Sequence, residues 1–557
     1  MVRTDLLVVL LLPAALAAAS TEKRVGPEVR LSIGNVVGSS FLSVDSFMGI
    51  PFAKPPVGAL RLKPPQSITS NLGTIVATGK PRACPQGTAS PVDTTKLGTN
   101  ATGVLGSLPV TPAALESDSP EDCLTLNVQR PSSATSSSKL PVLFWIYGGG
   151  FTTGSTQIYD GTSLISTSVS QKKDVIFVAV NYRLEAFGFL SGKEVLADGS
   201  TNLGIRDQRL ALQWVADNIA SFGGDPSKVT IWGESAGSAS VFSHMIYKNG
   251  NHTYKGKPLF RGAIMDSGSL LPAAAVNESR TEDRYNIIVQ NAGCSGASDT
   301  LSCLRNLDYA TFLNVSSNAN IPINTYLPRR DGIFFTDTPE NLLKSGKYAP
   351  VPFICGTQED EGTLFTYSLN LQNSTDVVEH LAYTFPDTPR AIVQGFVDTY
   401  PDDVSAGSPF RTGPLNNIYP QYKTIAAITG DYMFVFTRRL FLTLAATAKP
   451  NIPTWSYIGT YFFGLPVLGT FHATDLLPAF GITPGNAAFS IQSYYISFVH
   501  SLDPNSGTPS ILQKWPQWSA PGNKLLNFGA FFNTVTADNF RQTSFDFWRA
   551  NFSKFVL

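Results

Sequence analysis

The pentapeptide Gly233-Glu234-Ser235-Ala236-Gly237 constrains this 557-residue chain more than any other stretch, because it sets a serine between an apolar run and an Ala-rich one. Lys228-Val229-Thr230-Ile231-Trp232 reads as a short buried strand, and Ala236 to Tyr247 as the helix that follows. Glycine on both flanks lets the backbone turn without Cβ clashes, in a conformation most residues resist. The pattern is that of a nucleophile elbow, which exposes the serine hydroxyl at the turn. A pentapeptide alone is a weak signal, and its partners decide the matter. A serine hydroxyl is nearly inert until a base takes its proton, and a third group must hold that base in one tautomer.

Strand–elbow–helix sites of this kind order their residues along the chain as serine, then Asp or Glu, then histidine. Histidine occurs at 244, 252, 380, 472 and 500. His244 falls on the elbow helix, and His252 sits inside the glycosylation acceptor Asn251-His252-Thr253, which belongs on a wet surface loop. His380 and His500 lie in helix-like surroundings, whereas His472 follows the strand-like run Pro453 to Tyr461 and ends the turn Gly469-Thr470-Phe471-His472. That position favours His472 as the base. The acid should leave a strand end between the two, as Val351 to Gly356 followed by Glu359-Asp360-Glu361-Gly362 does. Spacing leaves open which of the three acids faces the histidine.

Acyl transfer also needs backbone N–H groups aimed at the oxygen that becomes negative. Leu140 to Tyr147 reads as a buried strand running into Gly148-Gly149-Gly150-Phe151, whose glycines let the main chain approach a substrate closely. Ala236, the residue after the serine, supplies a further N–H. A phosphate cradle is the rival reading of these glycines, but neither the dinucleotide glycine spacing nor a Walker lysine is present.

Taken with Phe52-Ala53-Lys54-Pro55-Pro56, Glu121-Asp122-Cys123-Leu124, Asn181-Tyr182-Arg183, Gly223-Gly224-Asp225-Pro226 and Asp360-Glu361-Gly362-Thr363, these motifs make nearly the whole chain resemble the type B carboxylesterase/lipase family. That family includes the cholinesterases and the fungal lipases of the Candida rugosa and Geotrichum type. The resemblance implies the α/β-hydrolase fold, an α/β architecture with a large, mostly parallel central sheet flanked by helices in a single domain. It implies Ser235 as nucleophile, His472 as base and Glu361 as acid, with Gly149, Gly150 and Ala236 as oxyanion donors. It also implies disulfides Cys84–Cys123 and Cys294–Cys303, leaving Cys355 as a buried, inert thiol beside a core strand.

Arg3, the apolar run Leu6 to Ala19 and the small residues Ala17 and Ala19 spell a signal peptide over residues 1–19, with the hydrolase domain in 20–557. Lys23-Arg24 reads equally as a dibasic processing site or a surface pair. Secretion to the extracellular space agrees with the acceptors Asn100, Asn251, Asn277, Asn314, Asn373 and Asn551. No later apolar run reaches transmembrane length. Lys+Arg and Asp+Glu balance at 41 each, which removes the electrostatic basis for nucleic-acid binding.

In related fungal lipases the loop between the first two cysteines carries a flap over the site. Here the span 85–122 is a possible lid or flap, but its apolar residues follow no clean helical period, and Asn100 would set a glycan in its midst. That departure argues against an oily flap surface, though transient contact with a lipid interface stays within the reading. Of the 36 phenylalanines, those at Phe462-Phe463 and Phe531-Phe532 read mainly as core, and Phe540 to Phe555 as a terminal helix docking on the domain. The chain therefore reads as a secreted serine hydrolase of lipophilic carboxylic esters, lipase-like or sterol-esterase-like, working through an acyl-enzyme without metal or organic cofactor. A feruloyl or other aryl esterase on the same triad is the alternative. A non-catalytic, cholinesterase-like binding protein is more remote, since such relatives usually lose the serine or the histidine.

Overall fold

Runs such as Ile176-Phe177-Val178-Ala179-Val180 and Phe353-Ile354-Cys355-Gly356-Thr357-Gln358 are buried on both faces, which only a sheet covered on both sides can accommodate. A computed structural model describes residues 26–87, 94–108, 121–317, 324–520 and 522–557. The signal peptide expected over 1–19, the Lys23-Arg24 pair, and positions 88–93 and 109–120 of the expected flap lie outside the described residues.

The main sheet is built from β1 (Ser39–Phe41), β2 (Val44–Pro51), β3 (Thr125–Pro131), β4 (Leu140–Ile146), β5 (Ile176–Val180), β6 (Gly224–Glu234), β7 (Gly262–Asp266), β8 (Phe353–Gln358), β9 (Thr454–Gly459), β10 (Lys524–Phe528) and β11 (Thr534–Ala537). Its 11 strands lie in the order β11-β10-β9-β8-β7-β6-β4-β5-β3-β2-β1. Pairing is parallel from β5 through β4 and β6 to β10, and antiparallel at both margins. This is the mostly parallel, helix-flanked sheet of an α/β-hydrolase fold.

Strand order reverses around β4, with β5 on one side and β6 on the other. Loops leaving β4 and β6 therefore part in opposite directions and open a crevice at the carboxyl ends of the strands, where α/β sheets bind their ligands. The helices that matter below are α1 (Thr99–Ser107), α2 (Ala236–Gly250), α3 (Asn486–Ser501) and α4 (Gln542–Ala550). Helical geometry in α2 gives way at Tyr247, the boundary expected from sequence.

Within the span 85–122, α1 buries only Ala101 and Leu105, four residues apart, a stripe too narrow to give the sequence a clean helical period. Two expectations need correction. Phe463 is half exposed after β9, and Phe531 and Phe532 are 88% and 70% exposed, because they occupy the turn between β10 and β11 rather than either strand. The terminal helix is shorter than Phe540 to Phe555, and Phe555 lies beyond it. The cysteines pair as the resemblance implied, Cys84 with Cys123 and Cys294 with Cys303, and Cys355 is a buried free thiol whose pKa burial pushes up to about 12.

Candidate active site

Ser235 sits between β6 and α2 at φ 56° and ψ −123°, a left-handed backbone that a non-glycine residue keeps only when its surroundings enforce it. Enforcement comes from two sides. The Ser235 N–H donates to the Asp266 carbonyl at the end of β7 (2.9 Å). Gly237 packs so tightly that a Cβ there would collide with the Ile146 carbonyl at the end of β4. The strain thus falls on the serine, while its glycine neighbours give room.

The structure brings the three distant residues together. His472 Nε2 lies 2.9 Å from Ser235 Oγ, and His472 Nδ1 lies 2.7 Å from Glu361 Oε2. Each is delivered from the carboxyl end of a parallel strand: Ser235 after β6, Glu361 after β8, His472 after β9. The histidine ring is also gripped by aromatics, stacked on Phe434 with centroids 4.3 Å apart and flanked by Phe365 at 5.1 Å. Phe434 belongs to a π-helical turn, Asp431–Val435, which also brings Tyr432 and Met433 to the cavity wall.

The acids left open by spacing take three distinct roles. Glu359 pairs outward with Arg411, its Oε1 2.9 Å from Nε. Asp360 is buried and accepts from Ser408 Oγ (2.8 Å), the Phe410 N–H (2.8 Å) and the Thr470 N–H (2.9 Å), tying the loop that carries His472 to the loop that carries the acids. Burial, reinforced by Glu359, raises the Asp360 pKa to about 7 against those hydrogen bonds. Glu361 accepts the Gln358 N–H at 2.7 Å with one oxygen and faces His472 with the other.

Sequence reasoning missed the buried floor beneath these residues. Glu234, the variable position of the pentapeptide, is fully buried, with Oε1 3.3 Å from His472 Nε2. Neither of its oxygens has a hydrogen-bond partner among the described residues. Burial, then the nearby Asp475, Glu361 and Asp266, push its carboxyl well above the usual range. Asp266 Oδ1 accepts from Tyr457 (2.9 Å) and Tyr495 (2.7 Å), and its Oδ2 from Trp232 Nε1 (2.7 Å). Burial raises its pKa to about 6 against those donors. Tyr457 also reaches Asp475 at 3.2 Å. Only the position of Glu234 next to the serine could have flagged any member of this group.

Gly149 and Gly150 follow β4 with φ of 97° and 65°, and with Ala236 and Ser235 they line one cavity of about 650 Å³. The first amides of a helix have no partner within it, so the start of α2 turns N–H groups and a positive dipole end toward this space. Phe365, Phe385, Tyr432, Phe434, Trp548, Phe555 and Leu557 supply an apolar wall. The remaining histidines are elsewhere: His244 is buried against Gln208, His252 is half-buried beside Phe260, His380 is half-buried on the helix Ser374–Thr384, and His500 bonds the Asp174 carbonyl. Asn100, Asn251, Asn277, Asn314 and Asn373 are exposed, whereas Asn551 is half-buried and donates to the Phe547 carbonyl. Among the described residues no helix is long and apolar enough to cross a membrane, and no cluster of His, Cys, Asp and Glu is arranged to hold a metal ion.

Comparison with known proteins points the same way. Residues 25–548 match the Carboxylesterase family. Secreted lipase 1 of Botryotinia fuckeliana (strain B05.10) is 50% identical over 548 residues, covering 96% of this chain and 95% of that protein. Secreted triacylglycerol lipase LIP1 of Gibberella zeae is 47% identical over 557 residues, 98% of this chain and 94% of that protein. The crystal structure of Aspergillus niger EstA is similar with a TM-score of 0.80 at 29% identity, covering 95% of this chain and 99% of that one. The chain belongs to the carboxylesterase family and is a secreted carboxylic-ester hydrolase.

Proposed function

We propose that Ser235, His472 and Glu361 act as nucleophile, base and acid on esters with a lipophilic acyl or alcohol part, with the amides of Gly149, Gly150 and Ala236 as oxyanion donors. The observation that carries this reading is the unbroken contact Ser235–His472–Glu361 at the foot of an apolar cavity. His472 takes the Ser235 proton as Oγ bonds to the ester carbonyl carbon, and the oxygen charge is met by the three amides. Collapse breaks the bond to the alcohol oxygen, which leaves with the proton from His472. Water, deprotonated by the same ring, then attacks the acyl-enzyme, and Ser235 departs carrying that proton. Glu361 holds the imidazole tautomer and offsets the imidazolium charge.

Lipase-like substrates are supported by the apolar wall and by relatives named as secreted lipases. Contact with a lipid interface would fall to the span 85–122, closed at its base by Cys84–Cys123. An aryl-esterase reading is supported by the Phe365 and Phe434 rings beside His472, which suit a planar acyl group. Rates on p-nitrophenyl esters from acetate to palmitate, with and without an emulsion, and on methyl ferulate, separate these readings. Preference for the longer esters with a jump at the interface supports the lipase, and a preference for ferulate overturns it. A Ser235→Ala protein that retained near wild-type hydrolysis would overturn the triad.

A further inference from the structure

Glu185 is out of place by the ordinary rules of folding. It has a left-handed backbone, φ 48°, where glycine is the undemanding choice, and it buries a carboxyl in the wall of the substrate cavity. Two costs at one residue, neither required by the strands around it, point to a functional constraint. The carboxyl is held in a polar cluster: Oε1 accepts the Gly87 N–H (3.1 Å), and Oε2 accepts from the Ser317 hydroxyl and more distantly from Ser316 Oγ (3.4 Å). Burial raises its pKa against those bonds.

Its place in the site is fixed by the backbone. The Glu185 N–H donates to the Phe151 carbonyl at 2.9 Å, and Phe151 directly follows Gly150. Thr152, Glu185, Ser316 and Ser317 thus form a polar patch beside the glycine loop, set against the aromatic and aliphatic side chains Phe365, Phe385, Phe434, Trp548, Phe555 and Leu557 of the same cavity. A carboxylate offers about four lone-pair directions and each serine hydroxyl two, and among the described residues the Glu185 carboxylate takes donors from Gly87, Ser316 and Ser317, so this patch has more acceptors than those donors fill. It is matched by a ligand that brings hydrogen-bond donors.

Resting on the ester-hydrolase reading above, we propose that the Glu185 patch is a subsite for a free hydroxyl on the alcohol part of the substrate, selecting partial esters of polyols over fully substituted or simple alkyl esters. A triacylglycerol or a methyl ester carries only acceptor oxygens and leaves the patch unmatched. A monoacylglycerol brings two hydroxyl donors. Proximity to the Gly149–Gly150 loop sets the patch beside the reacting carbonyl rather than at the far end of the acyl chain, and in this proposal it serves the alcohol side.

The test compares kcat/KM for monobutyrin with that for methyl butyrate in the full-length enzyme and in two variants. Glu185→Gly suits the φ of 48° and removes the carboxyl. Glu185→Gln keeps the shape and one acceptor oxygen. A hydrogen bond to a charged acceptor predicts that the monobutyrin/methyl butyrate ratio falls about tenfold in Glu185→Gly and less in Glu185→Gln. An unchanged ratio, or equal losses on both esters, would show that Glu185 only braces Gly87 against Ser317 and would overturn the proposal. Wild-type enzyme inert toward both esters would instead strike at the ester-hydrolase reading itself, so the two failures are distinguishable.

Discussion

The floor and the wall of the cavity are built by opposite means. The floor beneath Ser235, made of Glu234, Asp266, Asp360, Glu361, His472 and Asp475, is polar, buried and, apart from Glu234, held by directional hydrogen bonds from strand ends, loops and tyrosines. The wall, made of Phe365, Phe385, Tyr432, Trp548, Phe555 and Leu557, comes from segments far apart in the chain and presents shape rather than bonds. In the reaction proposed above, the floor's geometry serves one chemistry, whereas the wall can change with the substrate. Floor substitutions should therefore lower the rate on every ester, and wall substitutions should reorder the esters.

The largest effect tests the floor at its centre. Ser235→Ala should lower kcat about 10⁶-fold on every substrate while the thermal unfolding midpoint holds or rises, since alanine asks little of that site. Burst kinetics with a p-nitrophenyl ester would show the acyl-enzyme lost. Next, Glu361→Gln should lower kcat about 10⁴-fold by favouring the wrong imidazole tautomer, again without regard to chain length. A loss that depended on the ester would break the division between floor and wall.

Phe555→Ala tests the wall. Opening space at a residue 1% exposed should shift the palmitate/butyrate ratio of kcat/KM about tenfold toward the longer chain, read from initial rates below the unfolding temperature. Equal losses on both esters would make Phe555 a packing residue only. The smallest effect sharpens the floor's electrostatics. Asp360 has its pKa raised to about 7 in the fold, against about 3.9 unfolded, so the folded state holds the extra proton between these values. Its contribution to stability is present below pH ~4 and is lost as pH rises through ~7. Asp360→Asn should accordingly look less destabilising at pH 8 than at pH 5 in urea unfolding, and the reverse order would refute the shift.

What the sequence disclosed divides along the same line. The elbow and the strands before Ser235 and Glu361 follow from glycine chemistry and continuous apolar runs, while the order of serine, acid and histidine comes from the known layout of such elbows, and the structure sets the three side chains in contact. Choosing Glu361 over Glu359 and Asp360 was beyond spacing, because adjacent acids at a strand end differ only in the loops they meet. Asp266 was invisible for a like reason, since its partners Tyr457 and Tyr495 lie 191 and 229 residues along the chain, and Asp475 because nothing in its sequence surroundings marks the contact with Tyr457. Trp548 and Phe555 are buried in the core as the terminal segment's apolar pattern implies, and that they also line the cavity was not legible, because an apolar side chain beside a cavity has the same pattern as one packed in the interior. Phe531 and Phe532 misled in the other direction, as composition cannot tell a hairpin tip from a strand.

The left-handed backbone at residue 235 also limits which chemistry this scaffold can adopt. Threonine carries the same hydroxyl as serine, yet its branched Cβ is poorly tolerated at positive φ. Cysteine is unbranched and enters without that conflict. An evolving descendant could thus trade oxygen for sulfur at the elbow, but the secondary alcohol is closed to it by the turn that makes the nucleophile reachable.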